Sequence, residues 1–224
     1  MKKEVFTFEK MKYIVSYPSN YNENVKYPLI LFFHGAGSRG EDITILENNP
    51  YFLITDEIEN FPFITIAPQC YENTWFDIFE TLKRFALFIN KLNFVDTNRF
   101  YIMGASMGGY ATWQLAMSMP ECFTAIVPIC GGGMYWNASR LVNTPVWAFH
   151  GAKDDCVFLE ESKKMVDAIN KNGGNAKLTI YPENKHDAWS DTYKNPKVYE
   201  WLLSKQNNLY VEEKDIYNNS SLYG

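Results

Sequence analysis

The stretch "YIMGASMGGYATWQLAM", residues 101–117, surrounds one serine with glycines. The apolar run before it, "RFYIMGA" (99–105), has the composition of a strand buried on both faces. The run after it, "GGYATWQLAMSMP", has helical spacing and stops at Pro120. Gly104-Ala105-Ser106-Met107-Gly108 fits G-x-S-x-G, and it falls where a strand passes into a helix. A turn that sharp holds the serine in a strained conformation, so side chains two positions away would clash. Gly104 and Gly108 remove them, and Gly109 lets the helix approach the sheet closely.

The same alternation continues in both directions. "VFTF" and "YIVSY" read as an opening antiparallel pair. "YPLILFFHG" (27–35), "FPFITIAPQ" (61–69), "FTAIVPICG" (123–131), "TPVWAFHG" (144–151) and "AKLTIYP" (176–182) read as further strands. Helices are expected at 76–92, at 159–174, where "LEESKKMVDAINKNGG" closes on glycines, and at 196–205. Repeated strand–helix alternation predicts an α/β fold with a mostly parallel sheet of about eight strands and helices on both faces. No repeat or linker divides the chain, so residues 1–205 are expected to form one catalytic domain. The polar residues 206–224 read as an appendage.

Composition narrows the function. Of 224 residues, 46% are hydrophobic and 17% aromatic, enough for a substantial core. The net charge is −5 and no basic run appears, which argues against a nucleic-acid partner. No stretch of about 18 apolar residues is present to span a membrane, and the amino terminus does not read as a secretory signal, so a cytoplasmic location is expected. The four cysteines, Cys70, Cys122, Cys130 and Cys156, form no CxxC pair and are expected to be buried, reduced thiols. No metal or cofactor is expected.

A serine hydroxyl needs a base. His34 and His150 each end an apolar strand, immediately before a glycine, and are expected to be structural. His186, in "YPENKHDAW", follows both the serine and an acidic loop, the chain order of an α/β-hydrolase triad. The acid comes from "HGAKDDCV" (150–157), as Asp154 or, less favoured, Asp155. Two N–H groups must face the oxygen that gains charge. Met107, directly after the serine, supplies one. Ala36, in the glycine-rich "FFHGAGSRGED" (32–42), is expected to supply the other.

Taken together, "LILFFHGAGSRGED", "IAPQC…TWF", "MGASMGGYATWQLA", "VWAFHGAKDDCV" and "YPENKHDAW" resemble the α/β-hydrolase esterases of carbohydrate esterase family 1. That group includes feruloyl (cinnamoyl) esterases, polyhydroxybutyrate-depolymerase-like enzymes and short predicted peptidases. The resemblance spans roughly residues 27–205. It implies Ser106 as nucleophile, Asp154 as acid, His186 as base, and Ala36 and Met107 as oxyanion donors. Phe158 departs from the pattern, standing where the family often has proline.

The thirteen residues of "GGGMYWNASRLVN" (131–143) are too few for a large cap domain, so an open site is expected. Trp75, Tyr135, Trp136 and Trp189 are candidates to line its mouth and stack on flat rings. The expected activity is serine-dependent hydrolysis of carboxylic esters through an acyl-enzyme. The expected substrates are esters of aromatic or short acyl acids with carbohydrate or other bulky alcohols. A small serine peptidase of the prolyl-oligopeptidase type and a non-catalytic hydrolase-like binding protein are the alternatives. The sequence is silent on oligomeric state.

Overall fold

The computed structural model describes residues 1–207. Eight strands form one open sheet: β1 Lys2–Phe8, β2 Met11–Tyr17, β3 Tyr27–Phe33, β4 Ile64–Pro68, β5 Val95–Ala105, β6 Ala125–Ile129, β7 Val146–Gly151 and β8 Ala176–Tyr181. Their spatial order is β1-β2-β4-β3-β5-β6-β7-β8. β1 pairs antiparallel with β2, and β2 pairs antiparallel with β4. Every other neighbour is parallel.

Alternating side chains of the central strands feed two separate cores. Leu29, Leu31 and Phe33 of β3, with Phe100 and Ile102 of β5, pack on one face. Ile30 and Phe32, with Tyr101, Met103 and Ala105, pack on the other. Each such side chain contributes roughly 1.5–3 kcal/mol on burial, which is why both faces need a covering layer. The first face is covered by α3 (Phe79–Ile89), α4 (Met107–Ser118) and α5 (Leu159–Lys171), whose buried stripes include Leu82 and Phe85, Trp113 and Leu115, and Met165 and Ile169. The second is covered by α1 (Ile43–Glu47), α2 (Pro50–Thr55), α6 (Ala188–Lys194) and α7 (Pro196–Leu203).

The architecture is the α/β-hydrolase sheet expected from the sequence, with two differences in detail. β5 begins at Val95, four residues before the apolar run, because Tyr27 pairs with Val95 ahead of the main register. The short helices α1, α2 and α6 were not legible. Two of them start on side-chain caps: Asp42 accepts from the Thr44 N–H, and Asn49 accepts from the Tyr51 N–H. Residues 131–143 carry a short 3₁₀ turn, Tyr135–Leu141, and no cap domain. The expected appendage falls almost wholly outside the described residues.

His34 fastens the end of β3 to the chain after β4. Its Nε2 accepts the Cys70 N–H at 3.0 Å, and its Nδ1–H donates to the Gly35 carbonyl at 2.7 Å. The Trp75 indole N–H donates to the His34 carbonyl at 3.1 Å. This arrangement requires the neutral ring, and burial lowers its pKa from 6.5 to about 4. Between those values the unfolded chain binds more protons than the folded one, so stability falls as pH drops through that window. NMR titration of the folded protein should therefore show the His34 ring protonating near pH 4. Protonation near 6.5 would contradict the buried-acceptor role.

Gly108 lies against the carbonyls of Phe33 and His34, and Gly104 against the Gly108 carbonyl. A Cβ at Gly108 would fall far inside contact distance of backbone. Gly108→Ala should cost roughly 3 kcal/mol or more by chemical denaturation. A cost under about 1 kcal/mol would show that the close approach is not required.

Candidate active site

Ser106 caps α4 with φ 56° and ψ −119°, a sparsely populated region for a residue with a side chain. Its backbone N–H donates to the Ile129 carbonyl at 2.9 Å, which ties the turn to β6. The side chain is left at the top of the sheet. There its Oγ lies 2.8 Å from Nε2 of His186, and His186 Nδ1 lies 2.8 Å from Asp154 Oδ2.

The carboxylate fixes the tautomer. Because Asp154 only accepts when ionised, Nδ1 carries the proton, and Nε2 is left to accept from the serine hydroxyl. Asp154 is buried, and burial alone would raise its pKa. Hydrogen bonds from His186 and from the N–H groups of Val157 and Cys156 outweigh that, and its pKa is lowered overall. Asp155, the alternative acid, is exposed, while Asp154 alone of the two contacts His186.

His150 has a supporting place. Its Nε2 lies 2.8 Å from the Val157 carbonyl and 3.3 Å from Asp154 Oδ2. Its Nδ1 lies 2.8 Å from Ser162 Oγ, which donates to the Gly131 carbonyl. The ring thus braces the acid loop against α5 and the end of β6. Ser162 and Val157 carried no motif in the sequence that would have singled them out.

Ala36 and Met107 share a structural position. Each is the first residue of a helical segment, the 3₁₀ turn Ala36–Ser38 and α4. At that position the N–H has no acceptor within its own helix. Both flank the serine end of the sheet, as oxyanion donors must. The 36–42 loop is held from below: Gln69 donates to the carbonyls of Ser38 and Asp42, Arg39 donates to the Asn73 carbonyl, and the Gly40 N–H donates to the Cys70 carbonyl.

A pocket of about 590 Å³ opens beside the serine, bordered by Ala36, Ser106, His186, Trp189, Ile45 and Pro50. Trp189 is the one aromatic candidate on its wall, with its ring edge-to-face on His186 at 5.2 Å. Trp75 does not line the mouth. It is fully buried against Phe33 and His34, and its indole N–H serves the His34 latch. Tyr135 and Trp136 are exposed on the loop after β6, away from this pocket's wall. Ile45 and Pro50 went unnoticed because α1 and α2 gave no long periodic pattern.

The cysteines are free thiols. Cys70, Cys122 and Cys130 are buried as expected, but Cys156 is exposed, because the acid loop turns its backbone N–H inward to Asp154. Cys130 sits under the triad, with its sulfur within 4.8 Å of ligand atoms of Asp154 and His186. Burial raises its pKa and keeps the thiol protonated. The arrangement as a whole can deprotonate a hydroxyl, hold the imidazolium that results, and receive a charged oxygen.

Comparison with known proteins places this geometry in a lineage. Feruloyl esterase D of Neurospora crassa is 28% identical over 177 residues, covering 73% of this chain and 60% of that protein. A probable dipeptidyl-aminopeptidase B of Uncinocarpus reesii is 23% identical over 251 residues, covering 92% of this chain and 27% of that protein. The chain therefore spans less than two thirds of either relative. The crystal structure of a thermostable esterase superposes with a TM-score of 0.76 at 30% identity, covering 92% of this chain and 63% of that one. Residues 65–200, more than half of the chain, match the dienelactone hydrolase family. The chain is an α/β-hydrolase and belongs to the dienelactone hydrolase family.

Proposed function

We propose that the protein hydrolyses carboxylic esters through an acyl-enzyme on Ser106. The observation that carries this is the unbroken chain of hydrogen bonds from Ser106 through His186 to Asp154 at the wall of an open pocket. His186 takes the serine proton as Oγ attacks the carbonyl carbon, and returns it to the departing alcohol. The N–H groups of Ala36 and Met107 hold the oxyanion. Water then attacks the acyl carbon as it gives its proton to His186, the bond from that carbon to Oγ breaks to release the acid, and His186 returns the proton to Ser106 Oγ. Asp154 keeps the ring oriented and offsets its positive charge throughout.

The substrates we favour are esters of aromatic (feruloyl or cinnamoyl) or short acyl acids with carbohydrate or other bulky alcohols. The similarity to feruloyl esterase D supports the acyl class. The absence of a cap over residues 131–143 supports a bulky alcohol. Peptide-bond hydrolysis is the second reading, favoured by the similarity to a dipeptidyl-aminopeptidase B along most of the chain. A methyl ferulate assay run beside a dipeptidyl-anilide panel separates them. Turnover of the ester with none of the anilides supports the first reading, and the reverse result refutes it.

Ser106→Ala should lower kcat on p-nitrophenyl acetate by roughly four to six orders of magnitude. Asp154→Asn should lower it about 10⁴-fold, since an amide can turn the His186 ring to the wrong tautomer. Asp155→Asn should stay within about threefold of wild type, because its side chain is solvated and touches no part of the relay. Equal losses at 154 and 155 would remove Asp154 from its assigned place.

A further inference from the structure

The loop that carries Ala36 lies directly against the nucleophile. A Cβ placed on Gly35 would stand 3.3 Å from the Ala105 carbonyl oxygen and 3.5 Å from the Ser106 Cβ. The peptide joining Gly35 to Ala36 therefore passes beside the serine. A trans peptide is planar, so its C=O and its N–H point in opposite directions. The Gly35 carbonyl accepts from His34 Nδ1–H at 2.7 Å and from the Ser38 N–H at 3.2 Å. With that oxygen held, the Ala36 N–H is turned the other way.

The next peptide, from Ala36 to Gly37, has a weaker backbone hold. Its carbonyl accepts the Arg39 N–H at 3.4 Å, beyond the usual range. Nothing lies within 4 Å of a Cβ placed on Gly37, so no packing steadies the residue that follows. The Arg39 side chain makes up the difference. Its Nε–H donates to the Ala36 carbonyl at 2.8 Å, and its Nη1 donates to the Asn73 carbonyl at 2.7 Å. The far anchor is firm. Asp77 accepts from the N–H and the hydroxyl of Thr74, and the buried Trp75 donates to the His34 carbonyl. A planar guanidinium keeps a fixed angle between its donors, and its charge strengthens both bonds. Arg39 is exposed and does not line the pocket beside the serine, so it acts on the loop and not on the substrate.

Resting on the reading of Ala36 as an oxyanion donor, we propose that Arg39 is a positioning residue. Its guanidinium clamps the Ala36 carbonyl to the segment after β4 and so keeps the Ala36 N–H aimed at the oxyanion. His34 fixes one side of Ala36, and Arg39 fixes the other. Without the clamp the Ala36–Gly37 peptide can rotate, and the donor leaves its line. Charge that develops only in the transition state then loses a partner, so the loss falls on kcat and not on ground-state binding.

Arg39→Ala should lower kcat on p-nitrophenyl acetate by roughly 10- to 100-fold, with KM within about threefold of wild type. Because Arg39 is exposed, the substitution leaves the core filled. A trifluoromethyl ketone reads the oxyanion site directly. Ser106 Oγ adds to the ketone carbon, its proton passes to His186, and the ketone oxygen becomes an oxyanion. The Ki of that ketone should weaken by the same factor as kcat/KM. Guanidinium chloride at about 50 mM, far below denaturing concentrations, should raise kcat of Arg39→Ala at least about fivefold and leave wild type unchanged. Arg39→Lys keeps the charge but has no planar fork to reach both carbonyls, and should show the same pattern with a smaller loss. A kcat of Arg39→Ala within about threefold of wild type, a loss confined to KM, a Ki that does not follow kcat/KM, or a loss that guanidinium does not restore overturns the clamp while Ser106-dependent hydrolysis stands. Hydrolysis that survives Ser106→Ala overturns the serine reading itself, and the clamp with it.

Discussion

The backbone of Ser106, held at φ 56° and ψ −119°, is the constraint from which the rest of the site follows. Such a conformation costs about 1–3 kcal/mol and persists only when its surroundings over-determine it. Here they do. The serine N–H is tied to β6, Gly104 and Gly108 lie against each other, and Gly108 lies against the end of β3. Three adjacent parallel strands thus meet at one residue, and the hydroxyl has one direction left to point. The N–H of Met107 follows from the same turn, because a sharp entry into α4 leaves the first helical donor unpaired.

The partners arrive from the far side of the sheet, and each is fixed by contacts other than its own hydrogen bond to the relay. Asp154 Oδ1 accepts two backbone N–H groups from its own loop, so Oδ2 is presented to His186. Gly151, at the end of β7, lies against the carbonyls of Asn184 and Lys185, which leaves no room for a side chain between the acid strand and the histidine loop. The two other histidines serve the scaffold: His34 under the oxyanion loop, His150 behind the acid. All three histidines therefore bear on the site, but only His186 touches the serine.

Much of this was legible in the residues. The glycines around Ser106, the histidine that comes last in the chain, and the strand-end acid loop each carry a local signal tied to a steric or chemical demand. The choice of Asp154 over Asp155 was open until its contact with His186 was seen, because adjacent carboxylates differ only in the direction their loop turns them. Trp75 was misplaced for a related reason. A tryptophan after a strand end suits a binding mouth or a buried donor equally, and it was the free carbonyl of His34 that claimed the indole N–H. Helices of five to seven residues such as α1 and α6 are too short for periodicity to register, yet they build the wall of the pocket beside the serine. Cys156 is exposed because its backbone, and not its side chain, is what the acid loop uses.

The account stands on one covalent event, the transfer of an acyl-like group to the Ser106 oxygen activated by its folded surroundings. Peptide mass mapping after exposure to an organophosphate p-nitrophenyl ester tests it most directly. The account predicts one phosphoryl adduct, on the peptide carrying Ser106, formed by the folded protein and not by the chain in denaturant. An adduct spread over several hydroxyls, or none on that peptide while ester hydrolysis proceeds, would contradict it.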